Sequence, residues 1–273
     1  MKELSTRAIS GAFYISLLIL CIYWQYALIL LFFGFGLICM AEFKKLIQLD
    51  SKAPYTVFII MYLGFSIWCI FSSVDSGFNE AIQILQVITL FVQLLLVKDL
   101  FSEKKIPLFN TKRYILTTFY LSSAFVFLIL IANNDYTFTP LLLLGAFILV
   151  WVNDTGAYMI GKNFGKQKLF PSISPKKTVE GFLGGLFFAC IASYFIAKFT
   201  GSLDFTYWLI LGIIVSVFGT LGDLIESKFK RQANVKDSGV IMPGHGGLLD
   251  RLDSIIFVAP FFHLFLRLFP YVS

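Results

Sequence analysis

Residues 114–132, YILTTFYLSSAFVFLILIA, run for 19 positions without a charged side chain. A helix needs about 20 mostly apolar residues to cross the hydrocarbon core of a bilayer, and this stretch has that length. Working outward, eight further apolar runs occupy residues 9–23, 26–43, 55–72, 81–97, 141–160, 182–199, 205–226 and 255–269. The expected fold is all-α: a polytopic integral membrane protein with about nine transmembrane helices. The first and last runs are short. Only Trp24 and Gln25 separate the first two, as in a tight helical hairpin or one bent pair. Composition agrees. Apolar residues make up 58% of the chain, charged residues 14%, and mean hydropathy is +0.82. Soluble domains hold about 45–50% apolar and about 25% charged residues, and a soluble chain of 273 residues could not hide this much apolar surface. The 32 Phe residues suit a surface that faces lipid.

Lysine and arginine give the orientation, because cytoplasmic loops carry the excess of positive charge. With the amino terminus cytoplasmic, five segments fall on the same side: Lys2 and Arg7; Lys44, Lys45 and Lys52; Lys98, Lys104, Lys105, Lys112 and Arg113; Lys162, Lys166, Lys168, Lys176 and Lys177; Lys228, Lys230, Arg231, Lys236 and Arg251. Only Lys198 and Arg267 fall on the other side, so 20 of 22 basic residues share one face. A wrong number of spans would scramble that alternation. The net charge of +6 is thus expected to be one-sided. Lys2 and Arg7 precede an apolar run as in a secretory leader. A second run follows at once without a small-residue cleavage site, so the first segment is expected to be retained. Cys21, Cys39, Cys69 and Cys190 lie in apolar stretches without a Cys-x-x-Cys pair and read as small buried hydrophobes.

Composition divides the chain. Residues 1–135 hold about five apolar helices joined by ordinary loops, and residues 136–273 read as a catalytic transmembrane region with a polar site. Charges at membrane depth are costly and mark function by default. Asp154 lies late in helix six, and Asp223 and Glu226 lie late in helix eight. Asp223, Glu226 and Ser227 are spaced i, i+3, i+4 and share a helix face. Residues 227–253 then pack five cations, three carboxylates and one histidine into 27 positions. Gly244, Gly246 and Gly247 allow backbone to approach a ligand. Asp250 and Asp253 share a face if a helix starts there. Hard cations such as Mg²⁺ take carboxylate oxygens and substrate phosphates, so mixed cations and carboxylates point to a polyphosphate with its metal. After helix six, Ser174 and Pro175 end a loop, and Thr178 or a neighbour is placed to cap helix seven. Lys176 and Lys177 lie beside that helix start, where dipole and cation add for an anion. The Gly161–Gly165 and Gly181–Gly185 spacings suit helix packing or loop turns. His245 suits a base, a metal ligand or a phosphate donor, and zinc has no second His or Cys nearby. His263 reads as a packed helix residue.

The pattern Ser227, Lys230, Arg231, Lys236, Asp237, Gly239, His245, Gly246, Gly247, Asp250, Arg251, Asp253 resembles the signature of phosphatidate cytidylyltransferases, with Met242 where the family usually has Leu, Ile or Phe. The upstream run of Asp154, Ala157, Tyr158, Gly161, Gly165, Ser174, Pro175, Lys177, Thr178, Glu180 and Gly181 is similar to the family's as well. The resemblance implies that CTP and phosphatidate give CDP-diacylglycerol and pyrophosphate. It implies Asp223 and Asp250 as ligands of Mg²⁺, with Asp237 and Asp253 supporting a second cation or orienting basic groups. Lys230, Arg231, Lys236 and Arg251 would hold phosphates, and His245 would donate or position. Asp154, Ser174, Lys176, Lys177, Ser227, Gly246 and Gly247 would bind substrate. A homodimer in a bacterial cytoplasmic membrane, with its site facing the cytoplasm and no nucleic-acid partner, is expected. Two other classes use similar residues. A transporter would use Asp154, Asp223 and Glu226 as an ion path but has no need of the Gly-rich basic loop. Another CTP-using membrane enzyme, such as a polyprenol kinase or an archaeal lipid cytidylyltransferase, would differ in its acceptor lipid.

Overall fold

The structure, a computed structural model, describes residues 2–71, 78–102, 104–134 and 137–269. Residue 72 of the third apolar run and the 135/136 division of the chain lie outside the described residues. Nine long helices are seen among those described: α1 (Lys2–Ile22), α2 (Gln25–Leu46), α3 (Ala53–Phe71), α4 (Phe78–Phe101), α5 (Asn110–Ala132), α6 (Pro140–Phe164), α7 (Val179–Thr200), α8 (Phe205–Gln232) and α9 (Leu249–Leu268). Each falls on one of the nine apolar runs. Helices α2 to α8 are long and apolar enough to cross a membrane. The apolar part of α1, Ile9–Ile22, is shorter, and α9 opens with Asp250, Arg251 and Asp253.

The fold is all-α, with one short non-helical element. Between α6 and α7 the chain forms a short antiparallel pair, β1 (Lys168–Phe170) and β2 (Ser174–Thr178), with Lys168 opposite Thr178 and Phe170 opposite Ser174. Pro171 and Pro175 bar a helix here, so the connection satisfies its backbone as a hairpin. Phe170 packs on Phe101 at the end of α4, ring centroids 5.4 Å apart. Arg231 at the end of α8 donates from Nε to the carbonyl of Ile173 in the turn, at 3.4 Å.

Helix α5 is the hub. In its most apolar window 83% of residues are buried inside the protein, against 22% for α3, which leaves most of its surface to lipid. Leu116–Ser122 of α5 are π-helical. The widened turn carries Tyr120 into a cluster with Phe43 of α2 and Phe229 of α8, at 5.4 and 6.3 Å between centroids. Helices α6 and α7 approach until a Cβ on Gly181 would lie 2.9 Å from the Ala157 carbonyl and 3.2 Å from Gly161 Cα. Both obstacles are backbone, so only glycine fits, and the Gly161 and Gly181 spacings are packing positions.

The basic residues at the end of α8 are not all solvated. Lys228 is buried, and its ammonium donates to the carbonyls of Asp99 and Ser102 at 2.6 Å each, closing the end of α4. Gln232 accepts from Ile106 N and donates to Ile106 O, at 3.0 and 2.9 Å. The α4–α5 connection is thereby clamped to the end of α8, next to the residues that form the site.

Candidate active site

A cavity of about 710 Å³ opens where α6, the hairpin, α8 and α9 meet. Helix α6 contributes Asn153, Asp154, Tyr158, Gly161 and Lys162 to its wall, and the hairpin adds Lys168, Lys176 and Lys177. Helix α8 adds Thr220, Asp223 and Lys230. The loop after α8 adds Asp237, and α9 adds Asp250, Arg251, Asp253 and Ser254. Residues far apart in sequence converge because α6, α8 and α9 bring their charged ends to the same side of the bundle.

The hairpin is aimed by local chemistry. The Thr178 hydroxyl accepts from Gly181 N at 3.1 Å, so Thr178 caps α7. Glu180 accepts from Lys166 N and Gln167 N at 2.9 and 3.1 Å and fixes the strand that leads in. Lys177 then points from the foot of α7 to Asp223, with Nζ 2.5 Å from Oδ2. The other oxygen of Asp223 accepts from Ser227 at 3.2 Å, one helical turn on. The hairpin after α6 thus meets the last turns of α8 at one place.

The second centre is Lys230. Its ammonium forms ion pairs with Glu226 and, at 2.6 Å, with Asp250. The other oxygen of Asp250 accepts from Ser238 N, Ser238 Oγ and Gly247 N at 2.8, 2.9 and 2.8 Å. Gly246 has φ +87°, and a Cβ there would come 2.8 Å from that same oxygen, so glycine is required on both counts. A one-residue bridge between Met242 and Gly246 holds the loop in this curl. Asp250 and Asp253 do sit i, i+3 on the first turn of α9, and both face the cavity.

The other expected site residues lie around this wall. Arg231 is turned to the backbone of Ile173 and Val235. Lys236 is exposed outside the lining, and Ser174 sits at the start of β2. Ser227 supports Asp223, and Gly246 and Gly247 wrap Asp250. His245 faces α1, its Nδ1 2.7 Å from Ser10 Oγ, while its carbonyl accepts from Arg251 at 2.8 Å. His263 is buried against Phe127 and bonded to Gln86, as a packed residue.

Three groups take places that their local sequence does not mark. Lys162 and Lys168 stand in the basic loop after helix six without a site role of their own there, yet they line the cavity. Glu42 of α2 is the third. It is 3% exposed and accepts from Leu248 N, Leu249 N and Ser238 Oγ at 3.1, 2.8 and 3.1 Å. The available signal was a carboxylate inside the apolar run Cys39-Met-Ala-Glu-Phe43.

Among the described residues, no three His, Cys, Asp or Glu side chains gather closely enough to form a metal site by themselves. Mg²⁺ binds through one or two carboxylates plus phosphate oxygens. Asp223 fits that pattern, because its carboxylate is partly exposed on the cavity wall. Asp250 is already engaged by Lys230, Ser238 and Gly247 and would have to exchange one of these donors.

The family model described as the cytidylyltransferase family matches residues 5–269. The chain is similar to a protein named phosphatidate cytidylyltransferase from Bacillus subtilis (strain 168), 41% identical over 201 residues, which are 73% of this chain and 72% of that one. It is 53% identical over 126 residues to a protein of the same name from Staphylococcus aureus (strain COL), covering 45% of this chain and 48% of the relative. A Staphylococcus haemolyticus relative of that name is 52% identical over the same span. The matched part of the chain spans about half the length of these staphylococcal relatives.

Proposed function

The chain belongs to the cytidylyltransferase family, and on that premise we propose that it transfers the cytidylyl group of CTP to phosphatidate, giving CDP-diacylglycerol and pyrophosphate. The relatives' name supports the choice of acceptor. The single observation that carries the reading is the mixed charge of the cavity. Six cations (Lys162, Lys168, Lys176, Lys177, Lys230 and Arg251) and five carboxylates (Asp154, Asp223, Asp237, Asp250 and Asp253) line one space. A simple anion site has no need of five carboxylates, and an ion path has no need of six cations. A polyphosphate with its counter-cation uses both.

In the reaction, a phosphate oxygen of phosphatidate attacks the α-phosphorus of CTP. A new P–O bond forms while the bond from that phosphorus to the β-bridging oxygen breaks. Pyrophosphate leaves with the electron pair. The nucleophile is already an anion, so no strong base is needed, and the barrier lies in bringing anions together and stabilising the leaving group. Lys162, Lys168, Lys176, Lys177 and Arg251 face the cavity and hold phosphate oxygens. Lys230 is committed to Glu226 and Asp250 and keeps those carboxylates in place. Asp223 would hold Mg²⁺, which supplies charge neutralisation on the phosphate oxygens. Asp253 and Asp237 are placed to support a second cation or to orient the basic groups.

CTP arrives from water and phosphatidate from the leaflet, so the site must be open to both. We place the amino terminus and the cavity at the cytoplasmic face, with nine crossings, on the strength of the one-sided basic residues. A bacterial cytoplasmic membrane and a homodimer complete the reading. The test is purified protein with labelled CTP, Mg²⁺ and phosphatidate, scored for a lipid-soluble CDP product. Product from another lipid phosphate, with none from phosphatidate, would overturn the acceptor. No lipid product at all would overturn the reaction.

A further inference from the structure

Glu42 lies outside every segment that carries charge into the cavity. It sits on α2, 196 residues from Ser238. Its carboxylate is nevertheless enclosed by the loop between α8 and α9. Two of its three donors are the amides of Leu248 and Leu249, at the start of α9, a helix end with no side-chain cap from its own N-cap residue. Those amides carry the positive end of the helix dipole, and a carboxylate is their natural partner. The third donor is the Ser238 hydroxyl, which also lies 2.9 Å from Asp250 Oδ2. A hydroxyl has one proton, so at any moment it donates to only one of the two carboxylates. Glu42 and Asp250 are therefore linked through one group, and the position of one constrains the other. The loop is shaped around Glu42 as well: a Cβ on Gly247 would lie 2.6 Å from Oε2, and one on Gly239 would also meet the carboxylate.

We infer that Glu42 is a positioning residue for the transfer reaction: it anchors the first turn of α9 and, through Ser238, sets where Asp250 and its partner Lys230 face the cavity. The inference rests on the cytidylyl-transfer reading above. Glu42 is absent from the cavity wall, so it acts through the loop and not on the substrate.

The test uses full-length protein with CTP and phosphatidate, and compares Glu42→Gln, Ser238→Ala and the double variant. Gln keeps the size but puts an amide donor where donors converge. A change remote from the chemistry that shifts a site group by about 1 Å lowers turnover by about 10–100-fold. Each single change is expected to lower kcat in that range with KM for CTP little altered, and the double variant to be no worse than the poorer single. Hydrogen exchange of the Leu248 and Leu249 amides should rise in Glu42→Gln and stay near wild type in Ser238→Ala. Wild-type kcat and wild-type amide protection in folded Glu42→Gln would overturn the inference. So would losses that multiply in the double variant. If Glu42→Gln does not fold, Ser238→Ala and Glu42→Asp decide: unchanged kcat in both overturns it, and a loss in both supports it. Wild-type protein that makes no CDP-lipid would fail the functional reading instead, and amide exchange would still report whether Glu42 holds α9.

Discussion

Replacing Lys230 by methionine keeps the bulk of the stem and removes the ammonium between Glu226 and Asp250. Side-chain exposures are 11% for Lys230, 1% for Glu226 and 6% for Asp250, so water screens these pairs weakly. At 2.6 Å from Asp250 and an effective dielectric of about 20, one such contact is worth about 6 kcal/mol. That is an upper limit, because both ions lost hydration on burial. Removing one partner of a buried pair, and stranding the other, costs about 3–5 kcal/mol. In a chain of this size that lowers the apparent Tm by about 6–20 °C. Thermal unfolding in nanodiscs would compare wild type, Lys230→Met and Lys230→Met with Glu226→Gln. The second change removes one stranded carboxylate and should regain part of the loss. A Lys230→Met protein within about 2 °C of wild type would refute the account of Lys230 as the cation on which these carboxylates depend.

Asp223→Asn should abolish turnover while leaving the protein inserted and folded; near-normal activity at ordinary Mg²⁺ would remove Asp223 from the metal role. Lys177→Ala breaks the bridge to Asp223 and takes one cation from the cavity, so kcat/KM should fall by about 10-fold or more, and excess Mg²⁺ should not restore it. Rescue by Mg²⁺ would count against a phosphate-holding role for Lys177. Single cysteines at positions 104 and 134 should label from the cytoplasmic and the opposite side respectively, and labelling from one side only would defeat the nine-crossing topology.

The helices were legible because lipid imposes one simple demand, about 20 apolar residues in a row. Each apolar run therefore found a helix, with ends differing by up to seven residues. Asp154, Asp223 and Asp250, which share the cavity wall, were legible as candidates because carboxylates within or beside apolar helices stand out against their background. Thr178 was legible as a cap because capping is local. Glu42 was not, because its partners are Ser238, Leu248 and Leu249, and no helical spacing reaches that far. Lys228 and Lys162 were hidden for another reason. Both sit in clusters of basic residues whose one-sided placement is also a topology signal, yet one closes the end of α4 and the other faces the cavity. The turn of His245 toward Ser10 depends on how α1 docks, which local pattern does not set. The hairpin escaped because its strands are shorter than any periodic signal.

The pairing of Lys230 with Asp250 has a consequence for biosynthesis. The chain emerges from the ribosome amino end first, so α8 is made before α9. Lys228 finds its acceptors, the carbonyls of Asp99 and Ser102, already synthesised. Lys230 can pair with Glu226 on its own helix, but it waits 20 residues for Asp250. Glu42 has its donors only after some 200 residues more. Chains stalled or cleaved between residues 232 and 249 would therefore hold most of the bundle while leaving these charges incompletely matched.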